Sequence, residues 1–306
     1  TSSNSAIADI DASGVVTGMT AGTATITYTL TATGCIKTAL VTVNPLPAVI
    51  AGNHEVCEGL TTTLTNTSTG GTWMSDNTSV ATIGSASGVV TGVVAGTAGI
   101  TYTLPTGCIM TTVITVNALP DAITGTMTVC EGLTTTLADA TPGGIWTSGA
   151  TSIATVDASG VVTGHVAGNA TITYTLTATG CIRSAVVTVN PLPATIGGTL
   201  AVCEGLTTTL TNTTSGGIWI SDNTSIATIG ASTGTATGVV AGNVNITYAL
   251  PLTGCIRVAD LTVNALPAAI TGTTELCVGT NTVLNSATSG GSWTSSNTAL
   301  ATVGST

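Results

Sequence analysis

Along residues 23–30, threonine and apolar side chains take alternate places: Ala24, Ile26, Tyr28 and Leu30 are separated by Thr25, Thr27 and Thr29. The alternation returns at Ile100 and Tyr102, at Ile172, Tyr174 and Leu176, and at Ile246 and Tyr248. A period of two sends successive side chains to opposite faces of an extended chain. The pattern therefore predicts strands with one buried apolar face and one threonine face. After a Thr-Gly turn each is followed by a further strand that starts at Cys35, Cys108, Cys181 or Cys255, which makes a hairpin. Ahead of that hairpin, residues 48–120 predict extended pieces at 49–57, 61–65, 72–75, 80–83 and 89–94, with turns at Glu58-Gly59, at Gly70-Gly71 and across 84–88. Turn residues at roughly 8–12-residue spacing and about seven short strands indicate a β-sandwich.

The whole set recurs. Trp73, Trp146, Trp219 and Trp293 follow one another at steps of about 73 residues, as do Cys57, Cys130, Cys203 and Cys277, and Cys35, Cys108, Cys181 and Cys255. Between units stand Asn44-Pro45-Leu46-Pro47, Asn117-Ala118-Leu119-Pro120, Asn190-Pro191-Leu192-Pro193 and Asn264-Ala265-Leu266-Pro267. Their prolines cannot donate to a sheet ladder and so end strands. This predicts complete units at 48–120, 121–193 and 194–267, with partial ones at 1–47 and 268–306. Thr1-Ser2-Ser3-Asn4 is in phase with Thr294-Ser295-Ser296-Asn297, so the expectation is a window on a longer array, with further copies of the repeat before and after it.

Composition narrows the function classes. Charged residues are 5% of the chain, aromatic residues 3%, and there is no Phe. Three basic residues against 13 acidic ones give a net charge of −10, which repels nucleic acid and leaves no basic patch. Mean hydropathy is +0.57, but Thr, Gly or Asn breaks every apolar run before the ~18 residues of a spanning helix. No membrane span is expected. A unit of about 73 residues has a core small enough to profit from covalent staples. Eight cysteines at fixed spacing, without a CxxC or a histidine pair, predict disulfides and an oxidising, extracellular or cell-surface location rather than zinc.

The stretch Trp73-Met74-Ser75-Asp76-Asn77-Thr78-Ser79-Val80-Ala81-Thr82-Ile83, followed by Gly88-Val89-Val90-Thr91-Gly92 and Ala95-Gly96-Thr97-Ala98-Gly99-Ile100-Thr101-Tyr102, resembles the bacterial immunoglobulin-like domain of group 2. The Pro-Leu-Pro linker and Val-Cys-Glu-Gly turn are similar to those of giant Bacteroidetes-type surface or filament proteins. The resemblance covers the whole chain. It implies an all-β rod of tandem immunoglobulin-like sandwiches. Unlike antibody-type domains, this chain has its cysteines at loop ends.

The strand order implied by the resemblance puts Cys57 at one pole of its sandwich and Cys108 at the other, roughly 25 Å away. A disulfide needs Cα atoms within about 7 Å. The preferred pairing therefore crosses the joints, Cys57 with Cys181 and Cys130 with Cys255, leaving Cys35, Cys108, Cys203 and Cys277 to partners outside the window or to another scheme. Two alternatives stay open: Cys57 with Cys108 inside one unit, and Cys35 with Cys57 across a linker. In the preferred scheme Glu58 would meet Arg183 and Glu131 would meet Arg257.

The remaining candidates for chemistry are few. His54 and His165 stand at unrelated places in their units, and Asp9, Asp11 and Asp157 precede glycine turns that an Asp side chain caps. Neither set has the ligand spacing of a metal site. No nucleophile recurs beside a base, so neither an enzyme nor a cofactor is expected. The four tryptophans are expected in cores. The functional expectation is structural: a filament or the stalk of an adhesin, with lateral self-association into fibres as a further step. The alternative is a carbohydrate- or surface-binding array acting by avidity.

Overall fold

A computed structural model describes residues 1–304, and among them every regular element is a strand. The stretch 121–193 shows the plan. Its strands are Thr124–Gly125, Thr128–Cys130, Thr134–Ala138, Gly144–Ser148, Ala154–Val156, Val161–Gly164, Gly168–Leu176 and Ile182–Asn190. They form two four-stranded sheets. In one, Thr134–Ala138 lies between Thr124–Gly125 and Val161–Gly164, with Ala154–Val156 at the far edge. The other sheet runs from Thr128–Cys130 through Ile182–Asn190 and Gly168–Leu176 to Gly144–Ser148. Thr128–Cys130 pairs in parallel with the end of Ile182–Asn190, whereas the long hairpin beside it is antiparallel.

The first extended piece of each unit is thus two strands rather than one. Gly125 sits at φ 118°, a conformation that glycine adopts without strain, and a Cβ there would run into the Thr136 carbonyl. That residue lets the chain leave the first sheet and join the second. Two expected strands are also shorter than the sequence suggests. Val80 is held in a turn by its bond to the Asn77 carbonyl, and Val93 leaves the ladder to bond the Val80 carbonyl.

The core lies between the sheets. Ala170, Ile172 and Tyr174 alternate inward and meet Val187 and Val189 beside them, with Leu137, Ala154 and Val162 opposite. Trp73 and Trp219 are buried, while Trp146 is half-buried against its core. The Tyr174 ring lies 4.7 Å from Trp146, and its hydroxyl accepts from Gly144 N at 2.9 Å and donates to Thr141 O at 2.7 Å. Gly144 leaves room for that ring, because a Cβ would enter it. The stretches 48–120 and 194–267 repeat the same sheets.

One polar position breaks the repetition. Asn66 and Asn212 donate their Nδ2 to Ala48 O and Ala194 O at 2.6 and 2.7 Å, tying the linker to the first sheet. Asp139 holds the corresponding place. Its Oδ1 still accepts from Thr141 N at 2.9 Å, but its Oδ2 is buried without a hydrogen-bond partner. Asp139→Asn restores the donor and is expected to raise the stability of this unit by about 1 kcal/mol. Thermal unfolding followed by hydrogen exchange in 121–193 checks it, and an unchanged or lower stability contradicts the reading.

The flanking segments hold part of the plan. In residues 1–47, Ala8–Ile10 pairs with Val16–Gly18, and Gly22–Leu30 with Cys35–Val43. Residues 268–304 carry one ladder, Thr271–Gly272 with Leu284–Asn285. Tyr28 is 72% exposed where Tyr102 is 5% exposed, and Trp293 is only half-buried.

Candidate functional site

The chemistry of this chain gathers at the joints between units. Cys57 ends the strand Glu55–Cys57, whose parallel pairing with Thr115, Val116 and Asn117 fixes it beside the outgoing linker. The turn that follows bonds Leu60 N to Cys57 O, and Glu58 N bonds to Asn117 O at 3.0 Å. Cys181 stands at the tip of the next unit's hairpin. A glycine at φ 73°, Gly180, closes the turn, and Thr179 Oγ1 accepts from Cys181 N at 3.3 Å. The structure brings the two cysteines together as a disulfide with Cα atoms 5.7 Å apart. Cys130 and Cys255 form the second bridge with the same Cα separation. Cys181 and Cys255 are each 1% exposed and Cys130 is 7% exposed, so the second bond is buried at both sulfurs, whereas Cys57 is half-buried.

A cation holds each joint from the side. Arg183 Nε donates to Pro120 O at 3.2 Å, and Arg257 Nε donates to Pro193 O at 3.0 Å, so each hairpin grips the linker before its own unit. The charge pairs expected across the joints do not use these groups. Glu58 Oε1 accepts from Ala95 N at 2.7 Å, and Glu131 Oε1 from Ala167 N at 2.8 Å. Both carboxylates cap a turn of their own unit, which satisfies them at short range and leaves the arginines for backbone carbonyls. Beside Cys57 an open groove is lined by Val56, Leu60, Thr61 and Asn117, with Thr179 of the next hairpin on its rim.

The other sequence candidates lie apart from the joints and from one another. His54 Nε2 is buried without a hydrogen-bond partner, while His165 Nε2 lies 2.9 Å from Thr155 Oγ1. Asp157 Oδ1 accepts from Ser159 N, Ser159 Oγ and Val161 N. The bond from Val161 N, then that from the Ser159 hydroxyl, holds its carboxyl below the usual range. Asp11 is lowered in the same way by Ser13 Oγ and then Val15 N. Both are turn caps, and Asp9 lies in the strand Ala8–Ile10. Among the described residues no group of three or more His, Cys, Asp or Glu side chains is placed to hold a metal ion. No described helix is long and apolar enough to cross a membrane.

The profile of the bacterial Ig-like domain (group 2) matches residues 125–189, which include every residue of the two sheets just described except Thr124 and Asn190. This stretch is a group 2 bacterial Ig-like domain. The units on either side share its strand order and core positions, so the described chain is a tandem of Ig-like sandwiches. No curated protein matches the sequence. Among solved structures, domains 1–6 of the surface layer protein SbsC are 17% identical, with a TM-score of 0.24, over 87% of this chain and 49% of that one. Invasin, a bacterial integrin-binding protein, is 17% identical with a TM-score of 0.33, over 86% of this chain and 70% of that one. The N-terminal eight Ig domains of the Down Syndrome Cell Adhesion Molecule are 12% identical with a TM-score of 0.31, over 85% and 43%. The chain spans about half the length of the surface layer structure.

Proposed function

We propose that this chain is a load-bearing segment of an extracellular bacterial protein, a rod of Ig-like domains in a filament or an adhesin stalk, and that it catalyses nothing. The observation that carries this reading is the pair of disulfides joining successive domains, Cys57–Cys181 and Cys130–Cys255, at sequence separations of 124 and 125. A disulfide inside a domain stabilises that domain. One across a joint instead limits how two domains swing, and repeating it at the same place gives every joint one geometry. Short proline-bearing linkers restrict the same motion. Persistent disulfides belong to oxidising compartments, which supports a place outside the cytosol. Further copies of the domain before and after this segment would extend the rod by roughly 35–40 Å each, for strands of about eight residues plus loops.

Electron microscopy of the oxidised and the reduced chain tests the reading. The expected result is straight particles when oxidised and bent ones after reduction, with the individual domains still visible. Salt is expected to change neither, since charged residues are only 5% of the chain. Equal bending with and without reductant rules out the bracing role.

A further inference from the structure

The two sheets of each domain differ on their outer faces. In the first sheet the outward residues of neighbouring strands are threonines: Thr134 pairs with Thr163, which pairs with Thr155. This is the usual polar side of a half-buried antiparallel sheet. The sheet that carries the long hairpin departs from that rule. Its buried side holds Ala170, Ile172, Tyr174, Val187 and Val189, so alternation sends Ile145, Ile182 and Val186 outward, each about half exposed. Ile145 and Ile182 flank Thr175 in one row, Thr147, Thr173 and Ser184 form the next, and Thr171 and Val186 the third. Thr173 Oγ1 and Ser184 Oγ lie 2.9 Å apart and satisfy each other within the face.

The same face recurs on both neighbours. Ile109 and Val113 stand where Ile182 and Val186 do, with Met74 in the row between them. In 194–267 Ile256 and Ile218 flank Ala249, and Val258 and Ile220 flank Thr247. Among the described residues these rows are uncharged, apart from Asp260 in the third domain. Both ends of each bridge belong to this sheet: Cys57 ends its edge strand, and Cys181 immediately precedes the return strand of the next hairpin. The joints therefore set the hairpin sheets of successive domains end to end, and the apolar faces follow one another at the domain repeat.

A single face is small. Three strands about 4.8 Å apart and about seven residues of 3.3 Å cover roughly 350 Å². A stable protein interface needs about 800 Å² on each side. A partner without this repeat meets one face and falls short, whereas a second copy of the chain meets two or three at once. Each copy carries a net charge of −10, and the uncharged face is where two copies meet with least repulsion.

Building on the reading of the chain as a braced rod, we infer that this face is a lateral docking surface for a second copy of the chain. Two rods pair side by side, hairpin sheet against hairpin sheet, with Ile109, Ile182 and Ile256 in the contact. The same face serves on both copies, so the pair closes on itself and the threonine faces stay in water.

Sedimentation equilibrium of the oxidised chain at rising concentration tests this. The expected result is a reversible species of twice 29.6 kDa. Ile109→Lys, Ile182→Lys and Ile256→Lys together are expected to weaken pairing at least about 100-fold, because each leaves an unpaired charge in the contact. Glutamate at the same three positions acts alike, and mixing the two variants restores pairing. Thr63→Lys, Thr136→Lys and Thr209→Lys, on the first sheet, leave pairing unchanged. Peptide maps that retain Cys57–Cys181 and Cys130–Cys255 show that each variant is folded. A chain that stays monomeric, or that pairs equally well with the three lysines, overturns the inference. So does a monomer that sediments with an insoluble polysaccharide through the same three isoleucines, which would give the face to a carbohydrate. Straight single particles in the microscope overturn the pairing while the rod reading stands; bent oxidised particles overturn the rod reading itself.

Discussion

Pulled from its two ends, the oxidised chain is expected to reach only about half the length of the reduced one. With no bridge, 306 residues at about 3.4 Å each extend to roughly 1000 Å. With Cys57–Cys181 and Cys130–Cys255 intact, the shortest covalent path jumps from 57 to 181, runs back to 130 and jumps to 255. About 160 residues remain on that path, roughly 550 Å when drawn out. Most of the first complete domain lies inside the closed loop, off the line of force. Reductant added during the pull is expected to release the missing length, with Cys130–Cys255 slower than Cys57–Cys181, because both of its cysteines are buried whereas Cys57 is half-buried. Single-molecule force spectroscopy reads this directly. An oxidised chain that extends to the full length would mean that the bridges are not there.

Leu137→Ala is expected to unfold one domain and spare its neighbours. Leu137 is 1% exposed and packs between the sheets with Val162, Ile172 and Val187. Removing a buried leucine side chain costs about 2–5 kcal/mol, through lost transfer energy and the cavity left behind. A domain of about 70 residues rarely has more than ~3–5 kcal/mol in hand. The variant therefore stands near or past the point of collapse. Hydrogen exchange is expected to show protection lost across 121–193 and kept in 48–120 and 194–267, whose cores use Leu64 and Leu210 instead. Loss spread evenly over all three would mean that the domains share one folding unit.

Much of this architecture is legible in the sequence because repetition multiplies weak signals. One Thr-rich alternation is poor evidence, but the same alternation beside a tryptophan, two cysteines and a proline linker, at a constant step, marks strands and joints together. The passage of each first strand from sheet to sheet is not legible. Residues 49–57 read as one extended run, and only the positive φ of Gly52 divides it. The bonds of the Tyr174 hydroxyl escape for a related reason, since their partners, Thr141 and Gly144, lie about 30 residues away along the chain. The signal was present in Gly143-Gly144, where the first glycine makes the turn and the second clears space for the ring. The charge match across the joints failed because complementary signs say nothing about nearer partners: the backbone amides of Ala95 and Ala167 reach the glutamates first. Spacing alone left three cysteine pairings open. Which poles of two sandwiches meet is a property of the fold in space, and no interval in the sequence encodes it.

Peptic digestion of the unreduced protein, with mass spectrometry of the linked peptides, tests the central claim most directly. The account predicts peptides joining Cys57 to Cys181 and Cys130 to Cys255, both lost on reduction. A peptide joining Cys57 to Cys108, or Cys57 to Cys35, would contradict it, because those bonds close a single domain or a single linker and leave the joints unbraced.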